Sequence, residues 1–231
     1  MKDCFYQVTH TELLTPNVSR ILLSHCDGGV LQFAAGQYLK ILLSDDSVAP
    51  FSIASAPSLP LELHLGHQPG NASAGALRKQ LTINAKICVH GPFGSITPAR
   101  FSLDHPIIFF VRGTGFAPVK ALLEAFTYFK ALPPVHLYWG AASADDFYLQ
   151  NRLKQFEHRL PDFRYTLAVS RSKDQHKLHH IVLQDYPDLS QQQIYASGAT
   201  EMVLASREIF LQHGLRKKYF YSDVFDYVEE N

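Results

Sequence analysis

Cysteine is scarce in this chain. Cys4, Cys26 and Cys88 are the only three in 231 residues, and no two form a C-x-x-C pair. That spacing argues against a zinc ribbon or a Cys4 iron–sulfur loop, and a chain of this length does not need a disulfide scaffold. Charge is scarce as well: 21 Lys+Arg balance 21 Asp+Glu, and charged residues make up 18 %. A protein that coats nucleic acid needs surplus cations to neutralise phosphates, so that class is excluded. No apolar run approaches the ~18 residues of a membrane span. The start, Met1-Lys2-Asp3-Cys4-Phe5, lacks the apolar stretch and small-residue cleavage site of a signal peptide. The expectation is a soluble cytoplasmic protein. What is present is 46 % hydrophobic and 12 % aromatic residues, enough for a large core and for a surface that accepts something flat.

Two rhythms divide the chain. In the first hundred residues, short β-type runs recur at Phe5–Thr9, Ser19–Ser24, Tyr38–Leu43, Phe51–Ala54, Leu61–Leu65 and Lys86–Val89, with one helix at about Ser73–Leu81. Leu61-Glu62-Leu63-His64-Leu65 alternates strictly, which predicts a strand with one face buried. Six such strands predict an antiparallel β-barrel. After Pro106 the apolar run Ile107–Val111 reads as a strand covered on both faces. Helices at Ala117–Lys130, Asp145–His158, Ile181–Asp185 and Glu201–His213 then alternate with strands at Val135–Trp139, Arg164–Val169, Gln193–Ser197 and Tyr219–Ser222. This alternation predicts a doubly wound parallel sheet, an α/β nucleotide-binding domain of residues 103–231 after a β-barrel domain of residues 1–102.

Several turns could carry chemistry. Val111-Arg112-Gly113-Thr114-Gly115-Phe116-Ala117-Pro118 sits where the first parallel strand meets the first helix. It is either a ligand-free Gly-rich turn or a cradle for a diphosphate on a helix N-terminus. Gly70-Asn71-Ala72-Ser73 is either an ordinary helix cap or a phosphate loop. In Pro50-Phe51-Ser52 a strand-end hydroxyl beside an aromatic could hydrogen-bond a flat heteroaromatic ring. Gly91-Pro92-Phe93-Gly94 reads as a rigid turn closing the barrel. Ser170-Arg171 follows the third parallel strand, where a hydroxyl beside a guanidinium suits a phosphate monoester. His176-Lys177-Leu178-His179-His180 fits no common zinc spacing and reads as a solvated loop.

Taken in order, these pieces resemble the ferredoxin–NADP reductase superfamily from about residue 5 to 227. Gly36-Gln37-Tyr38 with Pro50-Phe51-Ser52 is similar to its G-Q-[YF] and R-x-[YF]-[ST] pair, Gly70–Ser73 to its flavin phosphate loop, and Gly91–Gly94 to its G-P-x-G turn. Gly113-Thr114-Gly115-Phe116-Ala117-Pro118 matches G-T-G-[IF]-[AS]-P, and Tyr138-Trp139-Gly140 and Ser170-Arg171 match the next strand ends. Ser197-Gly198 followed by Glu201-Met202 is similar to its C-G-x-x-x-M segment. Within the superfamily the chain looks most like the NAD(P)H–flavin reductases.

The resemblance implies hydride transfer from NADPH or NADH to a flavin, whether FAD, FMN or riboflavin, with the protein holding two rings face to face. It implies Ser52 as the catalytic contact to flavin N5. Gln37, Tyr38, Pro50, Phe51 and the Gly70-Asn71-Ala72-Ser73 loop would be flavin contacts, with Phe225 over the ring's other face. Gly113, Thr114, Gly115, Pro118, Ser170, Arg171, Ser197, Gly198 and Met202 would contact NAD(P). No metal is expected. The chain departs from the pattern at Ala49, where the family has arginine, and at Arg112, where it usually has glycine. It also lacks the arginine that often follows the Tyr-Trp-Gly strand end. A loosely held flavin that serves a downstream flavin-dependent enzyme is the expectation. An FAD-holding electron-transfer subunit and a non-catalytic nucleotide-binding module are the alternatives.

Overall fold

A computed structural model describes residues 4–67, 77–169 and 177–225. The Gly70–Ser73 loop and Ser170-Arg171 lie outside the described residues. The chain forms two compact units, Met1–Pro98 with Ala117–Ala125, and Ala99–Phe116 with Phe126–Asn231.

The first unit is a six-stranded antiparallel sheet. Its strands are β1 (Cys4–Thr15), β2 (Val18–His25), β3 (Tyr38–Leu42), β4 (Val48–Ser52), β5 (Leu61–Gly66) and β6 (Lys86–Phe93), in the order β4-β3-β6-β1-β2-β5. The edges β4 and β5 meet through an Ile53–Leu63 bridge and the Ala54 N–H donating to Glu62 O at 2.7 Å, which brings the sheet round into a barrel. Val8, Ile21, Leu39, Ile41, Ile53, Leu63 and Ile87 fill it.

Two expectations change here. β5 is buried on both faces, because Glu62 and His64 are buried along with Leu61, Leu63 and Leu65. Glu62 is paired with Lys120 of α1 (Phe116–Phe126), whose residues Ala117–Ala125 belong to this unit, and His64 is paired with Glu62. Gly91-Pro92-Phe93 is no turn but the end of β6, with a cis Gly91–Pro92 bond. Strand pairing of β6 with β3 carries on through Phe93 opposite Tyr38.

The second unit is a five-stranded parallel sheet of β7 (Ile107–Arg112), β8 (Val135–Ala141), β9 (Phe163–Val169), β10 (Gln193–Ser197) and β11 (Phe220–Tyr221), in the order β11-β10-β7-β8-β9. β7, β8 and β10 are buried on both faces but for Arg112, as continuous apolar runs require. Helices α2 (Gln150–Arg159), α3 (Lys177–Asp185) and α4 (Thr200–Gln212) complete it. Ile108, Phe110, Tyr138, Val182, Leu189, Val203 and Phe210 pack on one face. On the other, Phe101 meets Phe109 and Phe126 edge to face.

The helix expected at Asp145–His158 is interrupted. A 3-10 turn at Ala144–Asp146 is separated from α2 by Phe147, Tyr148 and Leu149, the last held at φ 58°. The histidine-rich stretch expected as a solvated loop instead enters α3, with His179 buried in its first turn because the helix lays Leu178 and Val182 onto the sheet. Among the described residues no group of His, Cys, Asp and Glu could hold a metal ion. No described helix is long and apolar enough to cross a membrane.

Candidate active site

In the first unit the expected flavin contacts converge on β3, β4 and the end of β6. Register places Ser52 opposite Tyr38, Phe51 opposite Leu39 and Pro50 opposite Lys40. Alternation then sets Phe51 with Leu39 toward the barrel core, and Pro50, Ser52, Tyr38 and Lys40 on the outer face. Phe93 lies on that outer face, its ring 5.6 Å from Tyr38 and under the Lys40 ammonium at 4.8 Å. Tyr38 is fully buried, whereas Pro50 is exposed and Ser52 half-buried. Gln37 holds the local backbone in place. Its Oε1 accepts from the Ala34 N–H at 2.8 Å and its Nε2 donates to Gly94 O at 3.0 Å. Gly36, at φ +90°, has no room for a side chain, since a Cβ would lie 2.4 Å from Ile96 O.

Behind Ser52 the segment Ala54–Ala56 is fastened by a buried polar cluster that the sequence reading missed. The Lys120 ammonium donates to Ala54 O at 2.8 Å, to Glu62 at 3.2 Å and to Glu124 at 2.9 Å. Glu124 accepts from the Ala56 N–H at 3.1 Å, and Ser55 Oγ accepts from the Glu62 N–H at 3.1 Å. Glu62 also pairs with His64 Nε2 at 2.8 Å. All three donors of the ammonium are therefore used, which is what a buried charge requires. Burial pushes the Glu62 carboxyl up, but the hydrogen bond from His64 and the charge of Lys120 outweigh it and hold the group at about 2. Burial lowers the His64 imidazole, and its bond to Glu62 recovers only part of that loss. The signal in the sequence was α1 itself: its only charged residues, Lys120 and Glu124, stand four apart on an otherwise apolar helix.

In the second unit the Gly-rich turn is built from three strand ends. β7 ends at Arg112, a 3-10 turn spans Gly113–Gly115, and α1 begins at Phe116. Pro118 falls in the first turn of α1, where a missing N–H costs no helix bond. Gly115 touches the end of β10 so closely that a Cβ would lie 2.2 Å from Ser197 O. Among the described residues a Cβ at Gly113 would meet nothing within 4 Å, so that backbone is open to a close-approaching ligand. The end of β8 buttresses the turn. Trp139 Nε1 donates to Gly113 O at 3.1 Å, and its indole stacks on Phe116 at 4.1 Å.

Ser197 and Met202 are buried, and Thr114 is half-buried in the 3-10 turn. Gly198 adopts φ +145°, and Met202 Cε would lie 3.0 Å from any Cβ there. Ser197, Gly198, Met202 and the Gly113–Gly115 turn are thus brought together at the carboxyl end of the sheet. Phe225 packs against Phe220 at 6.1 Å and under Arg207 at 5.7 Å.

A family model for the oxidoreductase NAD-binding domain matches residues 111–208. The chain is 32 % identical over 202 residues to the CDP-6-deoxy-L-threo-D-glycero-4-hexulose-3-dehydrase reductase of Yersinia pestis, a match covering 84 % of this chain but only 60 % of that protein. It is 30 % identical over 234 residues to Protein RfbI of Salmonella typhimurium, covering 97 % of this chain and 70 % of the relative. It is 29 % identical over 234 residues to the NAD(P)H-flavin reductase of Aliivibrio fischeri, covering 96 % and 98 %. Among solved structures, the Amycolatopsis cytochrome P450 reductase GcoB superposes with a TM-score of 0.85 at 23 % identity, over 96 % of this chain and 69 % of that one. The H286L mutant of ferredoxin-NADP+ reductase from Plasmodium falciparum superposes at 0.82 and 18 %, over 95 % of each. At those identities the two structures share the fold with this chain.

Proposed function

The chain belongs to the ferredoxin–NADP reductase superfamily, and from that premise we propose that it is an NAD(P)H-dependent flavin reductase, passing reduced flavin or electrons to an acceptor. The observation that carries the reading is the Gly113–Gly115 turn. It is open in front of Gly113, closed behind Gly115 by Ser197, and pinned by Trp139. A backbone bared in that way at the end of a parallel strand suits a dinucleotide diphosphate. The match to the flavin reductase of Aliivibrio fischeri over 98 % of its length supports the choice of acceptor.

In this reading residues 1–102 hold the flavin and 103–231 the nicotinamide nucleotide. When bound, the flavin supplies an acceptor for the hydride that reduced nicotinamide gives up. The chain's own residues orient and shield. By the resemblance, Ser52 would offer its hydroxyl to the flavin ring, Tyr38, Pro50 and the Phe51 backbone would border it, and Phe225 would cover it. Gln37 keeps the Ala34 and Gly94 backbones in place around them. Gly70, Asn71, Ala72 and Ser73 take the flavin phosphate. Gly113, Thr114, Gly115, Pro118, Ser197, Gly198 and Met202 receive the nicotinamide half, with Ser170 and Arg171 for a 2′-phosphate.

A second reading, a subunit that retains FAD and hands electrons to a separate protein, is supported by the 32 % identity to the Yersinia reductase. Gel filtration followed by anaerobic mixing separates the two. The flavin reductase leaves the column colourless and oxidises NADH or NADPH only when FMN, FAD or riboflavin is added. A yellow, stoichiometric flavoprotein favours the subunit, and no flavin reduction with either coenzyme at saturation defeats both.

A further inference from the structure

Arg112 occupies the last position of β7, one residue before the open Gly113. Its backbone is extended, with φ −133° and ψ 137°, so the side chain continues the strand's alternation on the face that Ile108 and Phe110 share. Glycine stands on both sides of it. Gly140 is its partner across β8, and a Cβ there would lie 3.8 Å from Arg112 Cγ. Gly198 follows β10, and a Cβ there would lie 3.5 Å from Arg112 Cβ. The arginine stem thus leaves the sheet through a gap in which neither neighbouring strand presents a side chain.

The place is chemically specific. β8 and β9 extend the sheet to one side of β7, and β10 and β11 to the other. Strand order reverses between β7 and β10, and open α/β sheets take ligands outside the carboxyl ends of the strands at that reversal. Arg112 is half-buried, yet among the described residues its guanidinium makes no hydrogen bond and no ion pair. A partly desolvated cation without a counter-charge is costly unless an anion is to arrive. A guanidinium presents a planar fork of N–H donors matched to paired phosphate oxygens. The neighbouring turn offers peptide groups and the Thr114 hydroxyl but no charge, so among the described residues of β7 and this turn the full charge beside the bare backbone comes from Arg112.

We infer that Arg112 binds the phosphate oxygens of the nicotinamide dinucleotide, adding a charge-assisted contact beside the Gly113–Gly115 backbone. The inference rests on the proposed flavin reductase reading and deepens it. Anchoring then depends on ionic strength, because part of it is an ion pair and not a set of peptide hydrogen bonds.

The test compares the wild-type protein with Arg112→Ala and Arg112→Lys. ADP-ribose, which carries the diphosphate without nicotinamide, is titrated at two salt concentrations, and steady-state NADH and NADPH oxidation is measured with added FMN. Thermal melting confirms folding, and Arg112→Lys keeps the test open should the alanine variant fail to fold. Arg112→Ala raises the ADP-ribose Kd and the coenzyme KM by ~10- to 100-fold, the factor one charge-assisted hydrogen bond carries. The loss appears mainly in KM, salt weakens wild-type binding more than the variant's, and Arg112→Lys falls between. Unchanged or tighter binding in the folded alanine variant, with wild type active, overturns the role of Arg112 and leaves the reductase reading standing. A wild-type protein that neither binds ADP-ribose nor oxidises either coenzyme overturns both.

Discussion

Lys120 and Glu62 meet at 3.2 Å with both side chains almost wholly excluded from water, 3 % and 11 % exposed. The pair is the centre of an arrangement that fastens the segment following Ser52, since the same ammonium holds Ala54 O and the Glu124 carboxylate that caps the Ala56 N–H. Removing the cation leaves two carboxylates and a peptide oxygen facing each other without the donor they share, although His64 still reaches Glu62 and the Ala56 N–H still reaches Glu124. Lys120→Met therefore lowers stability by about 3–5 kcal/mol, the cost of breaking a buried ion pair from one side. Urea denaturation at pH 7 measures it. A loss below about 1 kcal/mol would mean that water reaches the cluster and screens it as at a surface.

Acid weakens the protein in two separate windows. Glu62 sits at about 2 in the fold against an ordinary 4.5, so the unfolded chain takes up its proton first. Its stabilisation is complete above pH 4.5 and is lost as pH falls toward 2, about 3 kcal/mol in all. His136 sits at about 4 against 6.5, because burial and the Arg164 charge both oppose the imidazolium. Its ring is held by Thr166 Oγ1 at 2.9 Å and by the Tyr186 hydroxyl at 3.3 Å. A lowered histidine gives stability present above pH 6.5 and lost on the way down to 4. Unfolding midpoints measured from pH 8 to 2 decline across both windows. His136→Phe flattens the upper one without abolishing it, since His64 is lowered too. An unaltered slope in that variant would place the titration elsewhere.

What the sequence made legible follows from what each signal depends on. Ile107–Val111 announced a parallel strand by its own residues, and the Gly113–Gly115 turn by its position between strand and helix, since both are local patterns. Glu62 and His64 were misjudged because alternation records polarity along one strand and knows nothing of a helix more than fifty residues away carrying the complementary charges. Leu149 at φ 58° breaks the expected helix with a residue type that rarely adopts that conformation, so no local cue existed. The setting of Arg112 between Gly140 and Gly198 depends on register across three strands, which only the fold supplies.

The two glycines of the turn respond differently to a methyl group. At Gly115 a Cβ would lie 2.2 Å from Ser197 O and 2.6 Å from its carbonyl carbon, both backbone atoms that cannot step aside. Gly115→Ala therefore forces β7 and β10 apart at their ends, lowers the melting temperature and weakens ADP-ribose binding by at least ~10-fold. At Gly113 the space is free and only φ +54° is at stake, a left-handed conformation costing an alanine roughly 1–2 kcal/mol. Gly113→Ala accordingly remains folded, while its methyl intrudes where a diphosphate would approach and weakens binding. Calorimetry on the two variants distinguishes them. Equal stability losses would contradict the close contact at Ser197.

The last prediction concerns Ala49, where the superfamily's flavin motif carries arginine. Ala49 lies on β4 opposite Ile41, three residues before Ser52, half-buried against the rim of the barrel core. An arginine there can lay its aliphatic stem along that rim and carry its guanidinium out to solvent. If the missing charge is what leaves the flavin phosphate unpaired, restoring it acts on phosphorylated flavins alone. Ala49→Arg tightens FMN and FAD by ~10- to 100-fold, the range of one charge-assisted hydrogen bond, and leaves riboflavin, which has no phosphate, at its wild-type affinity. Fluorescence titration of the three flavins against wild type and variant provides the comparison. An equal gain for riboflavin would trace the effect to the ring, and no gain for any flavin would show that the phosphate is held elsewhere.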